Sequence, residues 1–133
     1  MPNRAIEIHD SVLAGVSLVD GRAELSFAAL YVHESEGEPG VDAGIGWFQK
    51  AILRIDSASV KGGFSEYPVD LTHGTVQIGE QVFDNGFPFP LKYTGSFEVR
   101  LRAMWRDESI SIAGTGAQLE LVGERGAIEE FPR

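Results

Sequence analysis

Apolar and polar residues alternate along Val12-Leu13-Ala14-Gly15-Val16-Ser17-Leu18-Val19 and along Arg22-Ala23-Glu24-Leu25-Ser26-Phe27-Ala28-Ala29, with Asp20-Gly21 between them. A two-residue Asp-Gly loop favours a type I′ hairpin turn. If Val19 faces Arg22, then Leu18 faces Ala23, Val16 faces Leu25 and Ala14 faces Phe27. Apolar residues then meet on one face while Ser17 meets Glu24 on the other. Turn chemistry and periodicity are independent signals, and here they agree on one register. Carried back along the pair, that register puts Asp10 opposite Tyr31 and on the inward face. A carboxylate there is expected to accept backbone N–H groups where the strand bends or bulges.

The same pattern recurs down the chain. Ala43 to Asp56 predicts a long strand, with Trp47, Ala51, Leu53 and Ile55 on one parity and Lys50, Arg54 and Asp56 on the other. Phe48 and Ile52 fall on the charged parity, so that face is expected to be covered by a loop or a second subunit, and a homodimer interface is assigned to these two residues. Val69 to Leu71 and Thr75 to Ile78 predict short strands around a His73-Gly74 turn. Asn85-Gly86 marks a turn in a loop that holds Pro88 and Pro90. From Phe97 onward the alternation predicts a three-stranded meander with turns near Asp107-Glu108 and Thr115-Gly116. These turns place Trp105 opposite Ile110 and Ile112 opposite Leu119. The tail around Ala127-Ile128-Glu129-Glu130-Phe131 fits either a short strand or one helical turn.

No segment carries the apolar spacing of a long helix. The expectation is one all-β domain over 1–133 with about eight short antiparallel strands. They pack as a β-sandwich or jelly-roll-like fold, with a Greek key favoured by the long, uneven middle connections.

Composition narrows the function classes. The chain has 133 residues and no cysteine, which removes disulfides, thiolate metal ligands and cysteine nucleophiles. Twenty acidic residues against 11 basic ones give a formal charge of −9, and the basic residues are not segregated. Neither nucleic acid nor anionic membrane is therefore expected as a partner. No basic start precedes an apolar run and no stretch is long enough to span a bilayer, so a soluble, cytoplasmic protein is expected.

Candidate chemistry is sparse. His9-Asp10-Ser11 holds the residue types of a hydrolase triad, but neighbours on a strand alternate faces and cannot chain hydrogen bonds in triad order. The three histidines, His9, His33 and His73, lack zinc spacing in sequence; His9 and His33 are the one pair that a hairpin brings near each other. Glu34, Glu36, Glu38 and Asp42 crowd one loop without calcium-loop spacing, which predicts a solvated acidic loop. Phe83, Phe87, Phe89 and Tyr93 cluster at a proline-rich loop, where aromatics either anchor a ligand or plug an open end of the fold. The candidate binding residues are thus His9, Asp10, Tyr31, His33, Phe87 and Phe89, with no metal, no cofactor and no catalytic residue assigned.

The opening Glu7-Ile8-His9-Asp10-Ser11-x-Leu13 resembles that of a group of small uncharacterised bacterial proteins of unknown function. The closing Ile112-Ala113-Gly114-Thr115-Gly116-Ala117-Gln118-Leu119-Glu120-Leu121-Val122-Gly123-Glu124, with Glu129-Glu130-Phe131, resembles the same group. Together the two ends make up about a third of the chain. The His-Asp start is also similar to some immunity proteins of bacterial toxin systems. Neither likeness implies a catalytic residue. The expectation is a non-enzymatic protein that binds an unknown ligand or partner, or assembles with itself. The alternatives are an immunity-type inhibitor of a basic toxin and a metal-dependent hydrolase with a cross-strand His9/His33 site.

Overall fold

The computed structural model describes residues 2–132, and among them there is no helix. Ten strands follow one another: β1 (Asn3–Val19), β2 (Arg22–Ser35), β3 (Gly44–Asp56), β4 (Ser59–Gly62), β5 (Val69–Ile78), β6 (Gln81–Asp84), β7 (Gly86–Phe89), β8 (Lys92–Ala103), β9 (Ser109–Val122) and β10 (Glu129–Phe131). The all-β, antiparallel expectation holds, but neither the sandwich nor the jelly-roll-like arrangement does. β3, β2, β1, β5, β8 and β9 form a continuous sheet, and β9 pairs back onto β3, closing a six-stranded barrel with four extra strands. A closed barrel removes most sheet edges and buries one face of a single sheet instead of the inner faces of two.

The reason for the difference lies in β9. The Thr115-Gly116 turn does not form, and β9 runs on for 14 residues. Its first half pairs with β4 and its second half with β3, from Asp56↔Gly116 to Lys50↔Val122. The glycines serve close approach here. A Cβ on Gly114 would stand 2.2 Å from the Asp56 carbonyl oxygen and 2.5 Å from the Ile55 side chain. Gly74 is a second case, inside a single strand β5, where a Cβ would meet the Arg100 carbonyl at 2.7 Å and Ile8 at 2.9 Å. β8 ends at Ala103 and pairs Leu101 with Ile110. Trp105 therefore falls in the connecting turn and is 79% exposed, not opposite Ile110.

The first hairpin keeps its predicted register from Val19↔Arg22 to Val16↔Leu25, with positive φ at both Asp20 and Gly21. Beyond that it slips. Leu13, not Ala14, faces Phe27, and Glu7, not Asp10, faces Tyr31. Between Glu7 and Val12 the β1 strand bulges, because five residue steps on β1 face two on β2. Asp10 takes φ 68° in this bulge and points into solvent. The buried polar residue is Ser11, whose hydroxyl donates to the Glu7 carbonyl at 2.8 Å and accepts from the Tyr31 N–H at 3.1 Å. The role expected of Asp10 is thus filled one residue later.

The barrel interior is packed with side chains. Leu13, Leu25, Trp47, Ile55, Leu71, Val76, Phe97 and Ile112 are at most 1% exposed. β1 and β5 meet only at Val12↔Asp70 and Leu13↔Val69 and then diverge. The hairpin of β6 and β7 fills the wedge, β6 lying on β5 and β7 on β1. Asn85, at φ 61°, forms its tip. That tip is buttoned down by bonds from Ile8 N–H to Asn85 O, from His9 N–H to the Asn85 side chain, and from Asn85 N–H to Gly74 O. No helix among the described residues is long and apolar enough to cross a membrane.

Candidate functional site

The wedge creates a recess of about 550 Å³. Phe83 of β6 and Phe87 and Phe89 of β7 supply its aromatic surface, and Pro2, Pro39, Pro88 and Pro90 its aliphatic one. Phe87 is 5% exposed and anchors the wedge in the core, while Phe83 and Phe89 are half-buried and pack against it. The same aromatics therefore plug the barrel and wall the groove. The sequence pattern marks Phe87 and Phe89 as binding residues, and the structure puts both in this groove. Pro88 lies in β7 and Pro90 follows it, so the outer edge of β7 lacks donors that an added strand needs. This edge therefore offers side chains and not a row of backbone donors.

Ala5, Pro39 and Gly86 are shared with a shallower recess of about 200 Å³, which continues the groove toward Glu7, His33, Asp84 and Asn85. One wall is the loop after β2. Its acids do not spread into solvent at random: the Asp42 carboxylate accepts the Glu38 N–H at 2.6 Å, and the Asp42 N–H donates to Glu38 O at 2.8 Å. This turn holds Glu38 and Pro39 over the groove. An apolar channel thus ends in a polar mouth.

His33 sits in that mouth, its side chain 13% exposed, and its Nε2–H donates to Glu7 at 2.9 Å. Its ring meets the edge of Tyr31 at 4.9 Å and Phe131 at 5.6 Å. Tyr31 in turn donates to the Glu129 carboxylate at 2.7 Å, and lies edge-on to Phe48 at 4.7 Å. Burial, reinforced by the Glu129 hydrogen bond and by the charges of Glu129 and Glu7, pushes the Tyr31 phenol well above its usual range. The ring fits because residue 46 is glycine; a Cβ there would stand 2.4 Å from the Tyr31 hydroxyl.

The structure does not bring the histidines together. His33 is in register with Ala5, four residues before His9 on β1. At about 3.3 Å per strand residue that separates them by roughly 13 Å. His9 donates from Nδ1 to the Thr72 carbonyl at 2.6 Å and lies 3.4 Å from Asp10, while His73 pairs with Asp84. Among the described residues no group of three or more His, Asp or Glu side chains is placed to hold a metal ion.

Beside the groove the barrel end is sealed by the chain's own tail. β10 pairs with Gly44–Gly46 of β3, and Gly126 N–H donates to Phe48 O at 2.7 Å. The Arg125 guanidinium lies 4.1 Å from the Trp47 ring centre and that of Arg4 5.5 Å away, with Glu34 ion-paired to both. The tail runs along the β3 edge beside Phe48. Phe48 remains 37% exposed and Ile52 is half-buried between Ser26 and Glu120. Sequence reasoning missed Glu7, Asp84, Trp47 with its two arginines, and Phe83 as site residues. Only Phe83 carried a signal, its place in the aromatic cluster; the rest depend on the β1 bulge and on the path of the tail.

No family model, no curated protein and no solved structure matches this chain.

Proposed function

We propose that the protein is a non-enzymatic binding barrel whose groove receives an extended segment of a partner protein. The segment carries apolar side chains followed by a basic residue. The observation that carries this is the groove itself: an apolar, proline-lined channel of about 550 Å³ that runs into a mouth holding Glu7 and Asp84, with Glu38 on its wall. Its size is that of a ligand site. Apolar walls reward burial of apolar groups, and the acids favour a cation at one end.

The test is selection of phage-displayed decapeptides on the wild-type protein, with amide shift mapping of the winners. We expect winners with paired apolar residues beside Lys or Arg. They should shift Gly86 and the β7 amides, and lose binding to Phe83→Ser at unchanged circular dichroism. No enrichment, or winners indifferent to Phe83→Ser, would overturn the proposal.

A second reading is an immunity-type inhibitor of a basic toxin. The favouring observation is that all seven described arginines are ion-paired, which leaves the excess of carboxylates to set the outer field. Such a field speeds encounter with a basic partner. An association rate with that partner that does not fall as salt rises would count against it.

A further inference from the structure

We propose that the opposite end of the barrel carries a second docking point, a recess beside Trp105 that takes an arginine side chain of a basic partner protein. This goes beyond the groove and shares no residue with it. Trp105 is 79% exposed in the turn between β8 and β9. A recess of about 250 Å³ adjoins it, walled in part by Glu66, Asp70 and Arg106.

The turn is braced. Met104 N–H donates to Asp70 O at 2.8 Å and Ala103 N–H to Glu108 O at 3.0 Å. The Arg106 guanidinium donates to the Glu66 carboxylate at 2.8 Å and the Glu66 carbonyl at 3.1 Å, and is ion-paired with the Glu108 carboxylate at 3.0 Å. Glu108 also accepts from the Ser65 backbone and hydroxyl. Two loops are thus locked together beneath the indole, so little ordering entropy remains to be lost on binding.

The charge of the recess selects the occupant. Arg106 is neutralised by Glu66 and Glu108. The Asp70 carboxylate makes no hydrogen bond among the described residues, and the Glu66 side chain is 77% exposed despite its ion pair. A guanidinium suits this arrangement because it stacks flat on an indole while its edge donates to carboxylates. The formal charge of −9 draws such a partner in.

The experiment titrates wild-type protein with the capped tripeptide acetyl-Gly-Arg-Gly-amide, its lysine analogue and its citrulline analogue, which keeps the shape and lacks the charge. Amide and indole N–H shifts report the site. We expect saturable shifts centred on Asp70, Ala103 and the Trp105 indole for the arginine peptide, with weaker binding of the lysine analogue and none of the citrulline one. Trp105→Ala should weaken binding about tenfold. Asp70→Asn should weaken it while leaving the indole in place. Shifts scattered without saturation, equal binding of either analogue, or unchanged affinity in Trp105→Ala would overturn the proposal. Binding through the groove alone would shift Gly86 and leave Trp105 still, so failure here and failure of the groove reading are distinguishable.

Discussion

The two tryptophans mark the two ends of the barrel, and they are treated in opposite ways. Trp47 has no exposed surface; Arg4 and Arg125 lie over its ring, Gln49 accepts its indole N–H at 2.9 Å, and the C-terminal tail runs across that end. Trp105 stands in solvent on a turn whose hydrogen bonds and ion pairs are all spent on holding the turn, not on covering the ring. Both indoles sit among arginines and carboxylates. At one end those charges enclose the ring, and at the other they brace it outward. The same chemistry thus serves enclosure or display, according to whether a further segment of chain crosses above it.

This contrast can be broken by substitution. The largest effect is expected at Trp47. Trp47→Ala opens a cavity in the core and removes the platform for two guanidiniums, which should cost about 3–5 kcal/mol by chemical denaturation. A cost below that of an exposed residue would mean the ring is not enclosed. Arg125→Ala should cost about 0.5–2 kcal/mol, and the Trp47 emission should move to longer wavelength as the tail loosens. An unchanged spectrum would show that the tail does not seal this end.

Tyr31→Phe sharpens the picture through pH. The Tyr31 phenol is raised in the folded state, so its neutral form is favoured there and the unfolded chain deprotonates first. Its contribution is complete below the unfolded value, near pH 10, and is lost as pH rises through the folded one. Wild type should therefore lose stability faster than Tyr31→Phe above about pH 10, while below it the variant is weaker by about 1 kcal/mol. Parallel curves would contradict the buried Tyr31–Glu129 bond. The smallest effect is expected at Trp105→Ala, within about 0.5 kcal/mol of wild type. A large loss would mean that Trp105 holds the fold and is not on display.

Strand identity was legible wherever periodicity and turn chemistry coincided. Asp20-Gly21 and Asn85-Gly86 both reverse the chain, with positive φ at Asp20, Gly21 and Asn85. Glycine without a following break was ambiguous. At Gly74 and Gly114 it marks close approach of another strand inside a continuous one, a fact about partners far away in sequence. Reading Thr115-Gly116 as a turn cut β9 in two, and with it went the pairing with β3 that turns a sheet into a barrel. The site was half legible. The clustering of Phe87 and Phe89 with prolines marks residues that wall the groove. Asp10 was placed inward because a register carried across a bulge reverses every side chain beyond it. Glu7, which does face Tyr31, became visible only once that slip was resolved. Trp105 was counted into the core because alternation from Phe97 continues through it, although pairing stops at Arg102↔Ser109.

The most direct test of a sealed end and a presenting end is collisional quenching by acrylamide in two single-tryptophan variants. Trp105→Phe leaves Trp47 as the only indole, and Trp47→Phe leaves Trp105. We expect blue-shifted emission and weak quenching from Trp47, and red-shifted emission with quenching several-fold stronger from Trp105. Equal quenching of the two, or a Trp47 more accessible than Trp105, would contradict the arrangement of both ends.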